Sequence, residues 1–251
     1  MDLAERYRPI QFKDMWQYPE SPTLRAVTNE VQRGRLQGPM LVTGVYGVGK
    51  TTLARIIGRR GSCLNGSDHP FEPCGSCDGC KNVEVRRSTS WCEYGYFEID
   101  CTQYSAARVR DMVAHETQCQ LFRSAFKRWV VCLDEVGRRE FSYQRQLLKM
   151  IENVRAHIIL CSGDPDLIDP ALRSRCVIRP LQPPSQEQCL SALRRIVAHE
   201  KVRLCPSASP LLVQRLGCNP RKILKTLATA ISLADDGIGI EEVEAALAMG
   251  T

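Results

Sequence analysis

One loop of the chain has the glycines and the lysine that are needed to wrap a phosphate group. Residues 44–51 read Gly-Val-Tyr-Gly-Val-Gly-Lys-Thr, which fits the pattern G-x-x-x-x-G-K-[ST]. The glycines let backbone amides face a phosphate chain, and the start of the following helix adds the positive end of its dipole. A chance glycine-rich turn is the alternative, which the strand-like run before the loop and the helical pattern after it disfavour.

In this pattern the lysine reaches the β- and γ-phosphates of a nucleotide, and the hydroxyl after it ligates Mg²⁺. These residues are Lys50 and Thr51 in this chain. The candidate nucleotide-binding residues of this stretch are Gly44, Val45, Tyr46, Gly47, Val48, Gly49, Lys50, Thr51 and Thr52.

A pair of acids, Asp134 and Glu135, follows the apolar run at 129–133. Beside a phosphate loop, the first acid holds Mg²⁺, commonly through water, and the second can orient and deprotonate an attacking water. A solvated strand end is the alternative interpretation. Two acids rather than one indicate hydrolysis rather than phosphoryl transfer to a substrate hydroxyl.

Cysteines crowd into one short segment as Cys63, Cys74, Cys77 and Cys80. Thiolates at this spacing can close a tetrahedral Zn²⁺ site without an open position, so the predicted role is structural. His69 in the spacer could replace one cysteine. Free thiols and an iron–sulfur cluster are the other interpretations, and the cluster ranks below zinc because the loop carries no second redox motif.

The elements that must position these groups alternate along the first part of the chain. Short apolar runs at 40–43, 97–100, 129–133 and 157–161 read as strands, and segments such as 51–60 and 143–151 read as helices. Short β-rich runs separated by helices indicate a parallel sheet covered on both faces.

A cluster of prolines, Pro180, Pro183 and Pro184, marks the end of the strand pattern. Ser185 and Gln188 then have capping-box spacing, and the helical patterns that follow predict a small all-helical domain. We therefore expect a nucleotide-binding core at 1–181, with the cysteine insert at 63–80, and a helical lid domain at 182–251.

Composition excludes several classes of protein. Of the 251 residues, 43% are hydrophobic and 25% are charged, as in ordinary globular proteins. No apolar run approaches the roughly 18 residues that span a membrane. The first residues also lack the basic segment followed by an apolar segment that is typical of a signal peptide. The net charge of +6 permits a polyanionic partner without requiring one. We expect a cytoplasmic protein whose scattered cysteines are small buried side chains in reducing surroundings.

Further motifs accompany these sites: the opening Arg6-Tyr7-Arg8-Pro9, the tripeptide Ser174-Arg175-Cys176, and the segment 217–221. In this order, with a cysteine insert directly after the first helix, the motifs resemble the gamma/tau ATPase subunit of the bacterial DNA polymerase III clamp loader, an AAA+ protein. The resemblance covers nearly the whole chain. It implies an AAA+ P-loop core with a parallel sheet, a zinc-binding insert and a C-terminal helical lid.

The resemblance also implies roles for residues of these further motifs. Arg8 and Pro9 would lie against the adenine, and Arg221 would contact the nucleotide of its own subunit from the lid. Arg175 would reach the ATP of a neighbouring subunit, where a guanidinium can stabilise charge that develops on the γ-phosphate. Ordinary surface arginines are the alternative interpretation of Arg175 and Arg221.

The chain departs from the family pattern in several places. Ser162 and Gly163 stand where the family commonly has two threonines, so Ser162 is the candidate for the first sensor hydroxyl. The cysteine spacer is a little longer, and residues 137–140 are more basic than expected. The chain ends where the family's helical collar domain would begin, so we expect a core and lid without that collar.

Two arginines lie near the start of a predicted helix that follows the strand ending at Asp100. Clamp loaders of the type that this chain resembles present basic residues to the DNA backbone at this place. The candidates are Arg110 and, second, Arg108. A helix N-terminus with arginines suits phosphate binding. A solvated helix face explains the same pattern equally well.

The sequence therefore predicts an ATP hydrolase with ATP, Mg²⁺ and structural Zn²⁺ as cofactors. Its catalytic candidates are Lys50, Asp134, Glu135, Ser162 and Arg175. The resemblance implies a motor subunit that works with other clamp-loader subunits in a ring or spiral, a sliding clamp and primed DNA. The alternatives are an AAA+ DNA assembly factor in recombination, transposition or phage replication, and a nucleotide-binding zinc scaffold without turnover.

Overall fold

The computed structural model describes residues 2–65, 72–85, 95–118, 129–234 and 237–250. Among these, the strands are β1 Met40–Thr43, β2 Tyr96–Asp100, β3 Trp129–Asp134, β4 Ala156–Ser162 and β5 Val177–Pro180. The helices are α1 Leu3–Arg6, α2 Pro22–Gln32, α3 Lys50–Ser62, α4 Asp78–Val85, α5 Ala106–Gln118, α6 Phe141–Asn153, α7 Pro170–Arg173, α8 Gln186–Glu200, α9 Ala208–Arg215, α10 Pro220–Leu233 and α11 Ile240–Ala248. Short 3₁₀ turns lie at Phe12–Asp14, Val136–Arg138 and Pro165–Leu167.

The strands form one parallel sheet in the order β2-β3-β4-β1-β5. Parallel strands end at the same edge of a sheet, and the register aligns Thr43 with Ser162 and Asp100 with Asp134. The phosphate loop after β1 and the acidic pair at the end of β3 therefore meet at the carboxyl edge, where open α/β sheets bind ligands. The predicted parallel sheet is confirmed.

The edge strand β5 was missed by the sequence pattern. Val177–Pro180 pairs with β1, and the amide of Leu181 continues the ladder to the carbonyl of Thr43 at 2.7 Å. Its side chains are alternately half-buried and exposed, and it ends in proline, which an edge strand tolerates. Arg175 therefore precedes the last strand of the described sheet.

Side chains of the sheet alternate between two apolar layers. Val130 of β3 belongs to the layer that contains Leu53 of α3. The next-but-two residue, Leu133, belongs to the opposite layer, which contains Leu147 of α6. Burying a side chain of this size contributes about 1.5–3 kcal/mol relative to leaving it exposed. The two layers hold the sheet, and therefore its carboxyl edge, in place.

Gly58 of α3 sits against the buried ring of Tyr96. A Cβ built on Gly58 would lie 2.2 Å from Cδ2 of that ring. We expect Gly58→Ala to lower the free energy of unfolding by at least about 1 kcal/mol, because overpacking here outweighs the gain in helix propensity. Urea unfolding measures this. The matched variant Gly163→Ala, whose Cβ has no neighbour within 4 Å, should change stability by less than about 0.5 kcal/mol, and an equal change in both would contradict the packing argument.

Helices α8–α11 share an apolar cluster of their own, as the helical patterns predict. The predicted capping box is present, because the side chain of Ser185 accepts from the amide of Gln188 and the side chain of Gln188 accepts in return. Leu3 and Trp16 from the start of the chain join this cluster. An isolated parallel bridge between Leu204 and Ile238 is the one departure from all-helical structure in the part described. Among the described helices, none is long and apolar enough to cross a membrane.

The scattered cysteines are mostly buried, as expected. Those with little or no exposure are Cys101, Cys132, Cys161 and Cys189, while Cys176 and Cys218 are half-buried. Cys205 is exposed, with its sulfur 3.1 Å from Oγ of Ser207. The expectation of a buried side chain is therefore wrong for Cys205, which lies on a polar connection between α8 and α9. Cys92 and Cys119 lie outside the described residues.

Candidate functional site

The phosphate loop joins β1 to α3 through glycines in backbone conformations that other residues rarely adopt. Gly44, Gly47 and Gly49 have φ values of 146°, 83° and 111°. A Cβ on Gly44 would lie 2.3 Å from the carbonyl oxygen of Leu181. The loop therefore needs glycine for its curl and for its close approach to the chain beyond β5.

Lys50 begins α3 and is nearly buried. Its Nζ donates to the carbonyl oxygens of Gly44 at 2.8 Å and Val45 at 3.2 Å, across the mouth of the loop. Burial lowers the pKa of Lys50, and the nearby acids Glu135 and Asp134 oppose that effect. The ammonium group is thus held at the position from which it could meet a phosphate inside the loop.

Thr51 and Asp134 meet across the carboxyl edge of the sheet. Oγ1 of Thr51 donates to Oδ2 of Asp134 at 2.8 Å, and Oδ1 accepts from the amide of Glu135 at 3.0 Å. Burial raises the pKa of Asp134, and the carboxylates of Glu98 and Glu135 add to the effect. Oxygen ligands of this kind suit Mg²⁺, and a divalent cation beside Asp134 would favour its ionised form.

Glu135 stands in a left-handed conformation with φ of 56°. Non-glycine residues in this region are uncommon and occur often at functional sites. Its Oε2 pairs with Nε of Arg138 at 2.9 Å. The basic segment that departed from the family pattern thus supplies a partner that keeps the carboxylate of Glu135 at the wall of the cavity.

A cavity of about 390 Å³ opens over this edge of the sheet. The predicted site residues that line it are Arg8, Pro9, Tyr46, Gly47, Val48, Gly49, Lys50, Thr51, Thr52, Asp134, Glu135 and Arg221. Three parts of the chain therefore meet there: the opening segment, the core edge and the start of α10. Gly44, Val45, Ser162, Arg175, Arg108 and Arg110 are not among its lining residues.

An ion pair that sequence reasoning missed forms one wall of the cavity. Nε and Nη2 of Arg55 donate to the two carboxylate oxygens of Glu98, each at 2.8 Å, and the hydroxyl of Tyr96 donates to the same carboxylate at 3.0 Å. Arg55 and Glu98 are mostly buried. No local pattern links these two residues, because their contact depends on α3 lying across β2.

The start of helix α10 contacts the tip of the phosphate loop. Nδ2 of Asn219 donates to the carbonyl oxygen of Tyr46 at 2.6 Å, and Nη1 of Arg221 donates to its hydroxyl at 2.7 Å. The guanidinium of Arg221 also lies 5.0 Å from the centre of the Tyr46 ring. Asn219 was missed, although the Asn-Pro pair at a helix start marks it as an N-cap.

Ser162 and Arg175 lie outside the lining of the cavity. Oγ of Ser162 is buried and donates to the carbonyl oxygen of Asp164 at 2.8 Å. Arg175 is partly exposed, pairs with Glu152 and donates to the carbonyl oxygen of Ala171 at 2.7 Å. The structure therefore brings neither side chain to the cavity of this chain.

A buried glutamine, Gln144 of α6, links the acidic pair to the segment before Arg175. Its Nε2 donates to the carbonyl oxygens of Arg139 at 2.8 Å and Leu167 at 2.9 Å, and its Oε1 accepts from the amide of Asp169 at 2.7 Å. Leaving these groups unpaired would be costly inside the protein. Gln144 thus fixes the spacing between the turn that follows Glu135 and the loop that follows β4.

The two candidate DNA-binding arginines are exposed on the first turns of α5. Ser105 precedes the helix, and its Oγ accepts from the amide of Arg108 at 3.2 Å. Gln103 and Tyr104, just before the helix, line the cavity. The start of α5 therefore presents Arg108 and Arg110 to solvent close to that cavity.

The four cysteines come together as the spacing predicts. Their sulfur atoms all lie within 4.8 Å of one another, and those of Cys74 and Cys80 are 3.9 Å apart. A tetrahedral ion with Zn–S bonds of about 2.3 Å requires sulfur separations of about 3.8 Å. The cluster therefore fits one zinc ion better than a cluster of several irons and sulfides. His69 lies outside the described residues.

Backbone amides also donate hydrogen bonds to the cysteine sulfurs. Amide groups of Leu64 and Cys74 donate to the sulfurs of Cys77 and Cys63, each at 3.4 Å. At Cys74, burial acts to raise the pKa but the amides of Cys77 and Ser76 outweigh it, so the pKa falls to about 6. Burial raises the pKa of the Cys80 thiol. N–H donors around sulfur favour the thiolate form that metals bind.

Solved structures show the class of the fold. The RuvB Holliday junction branch migration motor of Thermotoga maritima matches with a TM-score of 0.64 and 17% identity, covering 97% of this chain and 72% of that chain. Domain III of the replication initiation protein DnaA from the same organism matches with a TM-score of 0.63 and 16% identity, covering 96% of both chains. The fold is therefore that of the AAA+ proteins, as the sequence predicts.

Within this class, sequence comparison shows the family. The family model described as "DNA polymerase III, delta subunit" matches residues 20–185, and the chain belongs to this family. DNA polymerase III subunit tau of Salmonella typhimurium is 29% identical over 247 residues, which cover 98% of this chain and 37% of the relative. DNA polymerase III subunit gamma of Buchnera aphidicola subsp. Acyrthosiphon pisum is 27% identical over 243 residues, covering 96% and 64%.

These comparisons confirm the resemblance to gamma and tau subunits. The chain spans less than two-thirds of the length of the curated relatives named above, at 37% and 64%. The activity and partners of the whole relatives are therefore matters of proposal for this chain.

Proposed function

We propose that this chain is an ATP-hydrolysing motor subunit of a clamp-loader-like complex, which loads a sliding clamp onto primed DNA during replication. The observation that carries the proposal is the meeting of Lys50, Thr51, Asp134 and Glu135 at one cavity. A scaffold that only binds nucleotide has no need of all four. Relatives named as DNA polymerase III subunits favour replication over other AAA+ assembly roles.

In this proposal each group at the carboxyl edge has one task. The loop amides and Lys50 bind the phosphates, and Thr52 and the amide groups at the start of α3 extend that site. Thr51 and Asp134 would hold Mg²⁺, which would supply positive charge to the phosphate oxygens. Glu135 orients the attacking water and accepts its proton.

Arginines would complete the site from two directions. Arg175, from a neighbouring subunit, would stabilise the charge on the γ-phosphate, so a single subunit should turn over slowly. Arg221 would report the nucleotide of its own subunit to the lid, since it already reaches the phosphate loop through Tyr46. Ser162 would serve as a sensor once its hydroxyl leaves the carbonyl of Asp164.

The remaining assignments follow from this function. We propose a core at 1–181, which carries the nucleotide site with Arg8 and Pro9 beside the base, and a lid at 182–251. We propose that Cys63, Cys74, Cys77 and Cys80 hold a structural Zn²⁺, because the separations of their sulfurs suit one tetrahedral ion. A replication role places the chain in the cytoplasm beside other clamp-loader subunits, the clamp and DNA.

DNA binding through Arg108 and Arg110 makes a quantitative prediction. Each phosphate contact on duplex DNA contributes about 0.9 to the slope of log affinity against log salt. The double variant Arg108→Ala/Arg110→Ala should therefore lower that slope by nearly 2, which a titration at several salt concentrations measures. Arg194→Ala, an exposed arginine of α8, is the control and should leave the slope unchanged. An unchanged slope in the double variant would show that these arginines do not contact DNA phosphates.

The proposed function is tested by steady-state ATP turnover of the chain with clamp-loader partner subunits. Turnover is measured with and without primed DNA and a sliding clamp, and Lys50→Ala supplies the background. The proposal predicts turnover that rises with DNA and clamp together. Nucleotide binding without turnover under every condition would favour the scaffold alternative, and stimulation by DNA that ignores the clamp would favour an assembly factor of another pathway.

A further inference from the structure

The cysteine insert contacts a segment near the start of the chain. The residues on both sides of that segment line the nucleotide cavity. We use "the insert" for the described residues 63–65 and 72–85, and "the opening loop" for residues 10–14. Arg8 and Pro9 before the opening loop line the cavity, and so do Met15, Trp16 and Gln17 after it. A displacement of the opening loop therefore moves the wall of the cavity at both of its ends.

The contacts between the insert and the opening loop are polar and closely spaced. Oε2 of Glu72 accepts from the amide of Phe12 at 2.7 Å, and Oε1 accepts from the amide of Lys13 at 3.0 Å. Nε2 of Gln11 donates to the carbonyl oxygen of Pro73 at 2.7 Å. Hydrogen bonds from amides to a carboxylate are among the stronger ones in proteins. The carboxylate of Glu72 thus holds the start of the 3₁₀ turn in the opening loop.

Shape completes the contact. Gly75 has a φ of 75°, and a Cβ built there would lie 3.0 Å from Cδ1 of Ile10. Ile10 to Lys13 are therefore all held by residues 72–75 of the insert. Cys74 lies within this stretch of the insert, so the position of Glu72 depends on the position of a cysteine in the cluster.

The far side of the opening loop is fixed to the phosphate loop. Nε2 of Gln17 donates to the carbonyl oxygen of Val48 at 3.1 Å and to that of Gln182 at 3.2 Å. A Cβ on Gly49 would lie 3.2 Å from Cε of Met15. A continuous series of contacts therefore connects the cysteine cluster to the nucleotide cavity. It runs from Cys74 through Glu72 and the opening loop to the residues that line the cavity.

From this continuity we propose that the insert positions the nucleotide-binding wall, with Glu72 as the positioning residue, so that a metal ion at the four cysteines raises the affinity for nucleotide. The inference rests on the proposed function, which puts a nucleotide in the cavity and zinc at the cysteines. Glu72 touches neither ligand. Its effect passes through the backbone of Phe12 and Lys13, and the acidic pair and Lys50 are outside its contacts.

The inference predicts an effect on binding that leaves the chemical step unchanged. Glu72→Ala removes both amide bonds, and Glu72→Gln keeps one acceptor oxygen. We expect about a tenfold weaker ADP affinity for Glu72→Ala, equivalent to about 1.4 kcal/mol, and a smaller loss for Glu72→Gln. KM for ATP should rise in parallel while kcat stays constant. Glu187→Ala, an exposed glutamate of α8, is the matched control and should match wild type.

The deciding experiment is a cycle of ADP titrations by calorimetry on the full chain. Wild type and Glu72→Ala are each titrated zinc-loaded and after treatment with a zinc chelator, and zinc content and thermal melting are recorded for every sample. We expect chelation to weaken ADP binding about tenfold in wild type, to have little further effect in Glu72→Ala, and to be reversed by added zinc, since two changes in one linkage are not additive.

Several results would overturn the inference. Equal ADP affinity in zinc-loaded wild type and zinc-loaded Glu72→Ala, both folded, would show that Glu72 does not position the wall of the nucleotide cavity. This comparison holds even if chelation unfolds the chain. Losses that simply add would show that zinc and Glu72 act separately. Absence of ADP binding or of zinc binding in wild type would instead refute the proposed function, and the inference with it.

Discussion

Replacing Glu135 by glutamine should lower ATP turnover by about 10²–10⁴-fold while ATP still binds. The carboxylate of Glu135 lines the cavity beside Asp134, and glutamine keeps its shape but cannot accept the proton of the attacking water. The phosphate loop, Lys50 and the Thr51–Asp134 contact are untouched by the change. Single-turnover hydrolysis and equilibrium binding of ATP, measured on the same preparation, separate the two effects.

The control for this result is Glu140→Gln. Glu140 is an exposed acid five residues further along, outside the lining of the cavity. Its variant should keep wild-type turnover. If Glu135→Gln also kept wild-type turnover, another group would be the base. If it lost ATP binding to the same extent as turnover, the role of Glu135 would be in binding the nucleotide.

Replacing Arg175 by alanine should reduce turnover of the assembled complex by about 10³–10⁵-fold, the range seen when an arginine finger is absent. Within its own chain Arg175 pairs with Glu152 and the carbonyl of Ala171, away from the cavity. The loss should therefore appear in assemblies and leave ATP affinity of the single chain unchanged. Turnover at increasing protein concentration, together with ATP titration of the dilute chain, measures both.

Arg173→Ala is the matched control for Arg175→Ala. Arg173 lies two residues earlier and pairs with Asp166 at 2.7 Å. An exposed ion pair of this kind contributes about 0–1 kcal/mol, so its variant should assemble and turn over almost normally. If Arg173→Ala and Arg175→Ala lost turnover equally, the cause would be a disturbed surface rather than a missing catalytic guanidinium.

Much of the candidate site could be predicted because its chemistry is local. Lys50 and Thr51 belong to one contiguous motif, and Asp134 and Glu135 end a clear apolar strand. The parallel order of the strands then brings the two motifs to one edge without any further information. The cysteine cluster is local in the same sense, because its ligands are separated by short spacers.

The parts that could not be predicted depend on contacts between distant residues. Arg55 meets Glu98 because α3 crosses β2, and Gln144 finds four partners in two other segments. Strand β5 is recognisable through its pairing with β1, since its own residues form an ordinary edge. Glu72 belongs to the same group: its importance appears once the opening loop folds against the insert.

A mixing experiment tests the central claim, that ATP is hydrolysed at this cavity with an arginine from a neighbouring subunit. Lys50→Ala retains Arg175 but lacks a working phosphate loop, whereas Arg175→Ala retains the loop but lacks the arginine. Each variant is assayed alone and then mixed, at a concentration where wild-type turnover no longer rises. The account predicts that the mixture turns over ATP well above the sum of the separate variants. Turnover equal to that sum, with wild type active under the same conditions, would contradict a site shared between subunits.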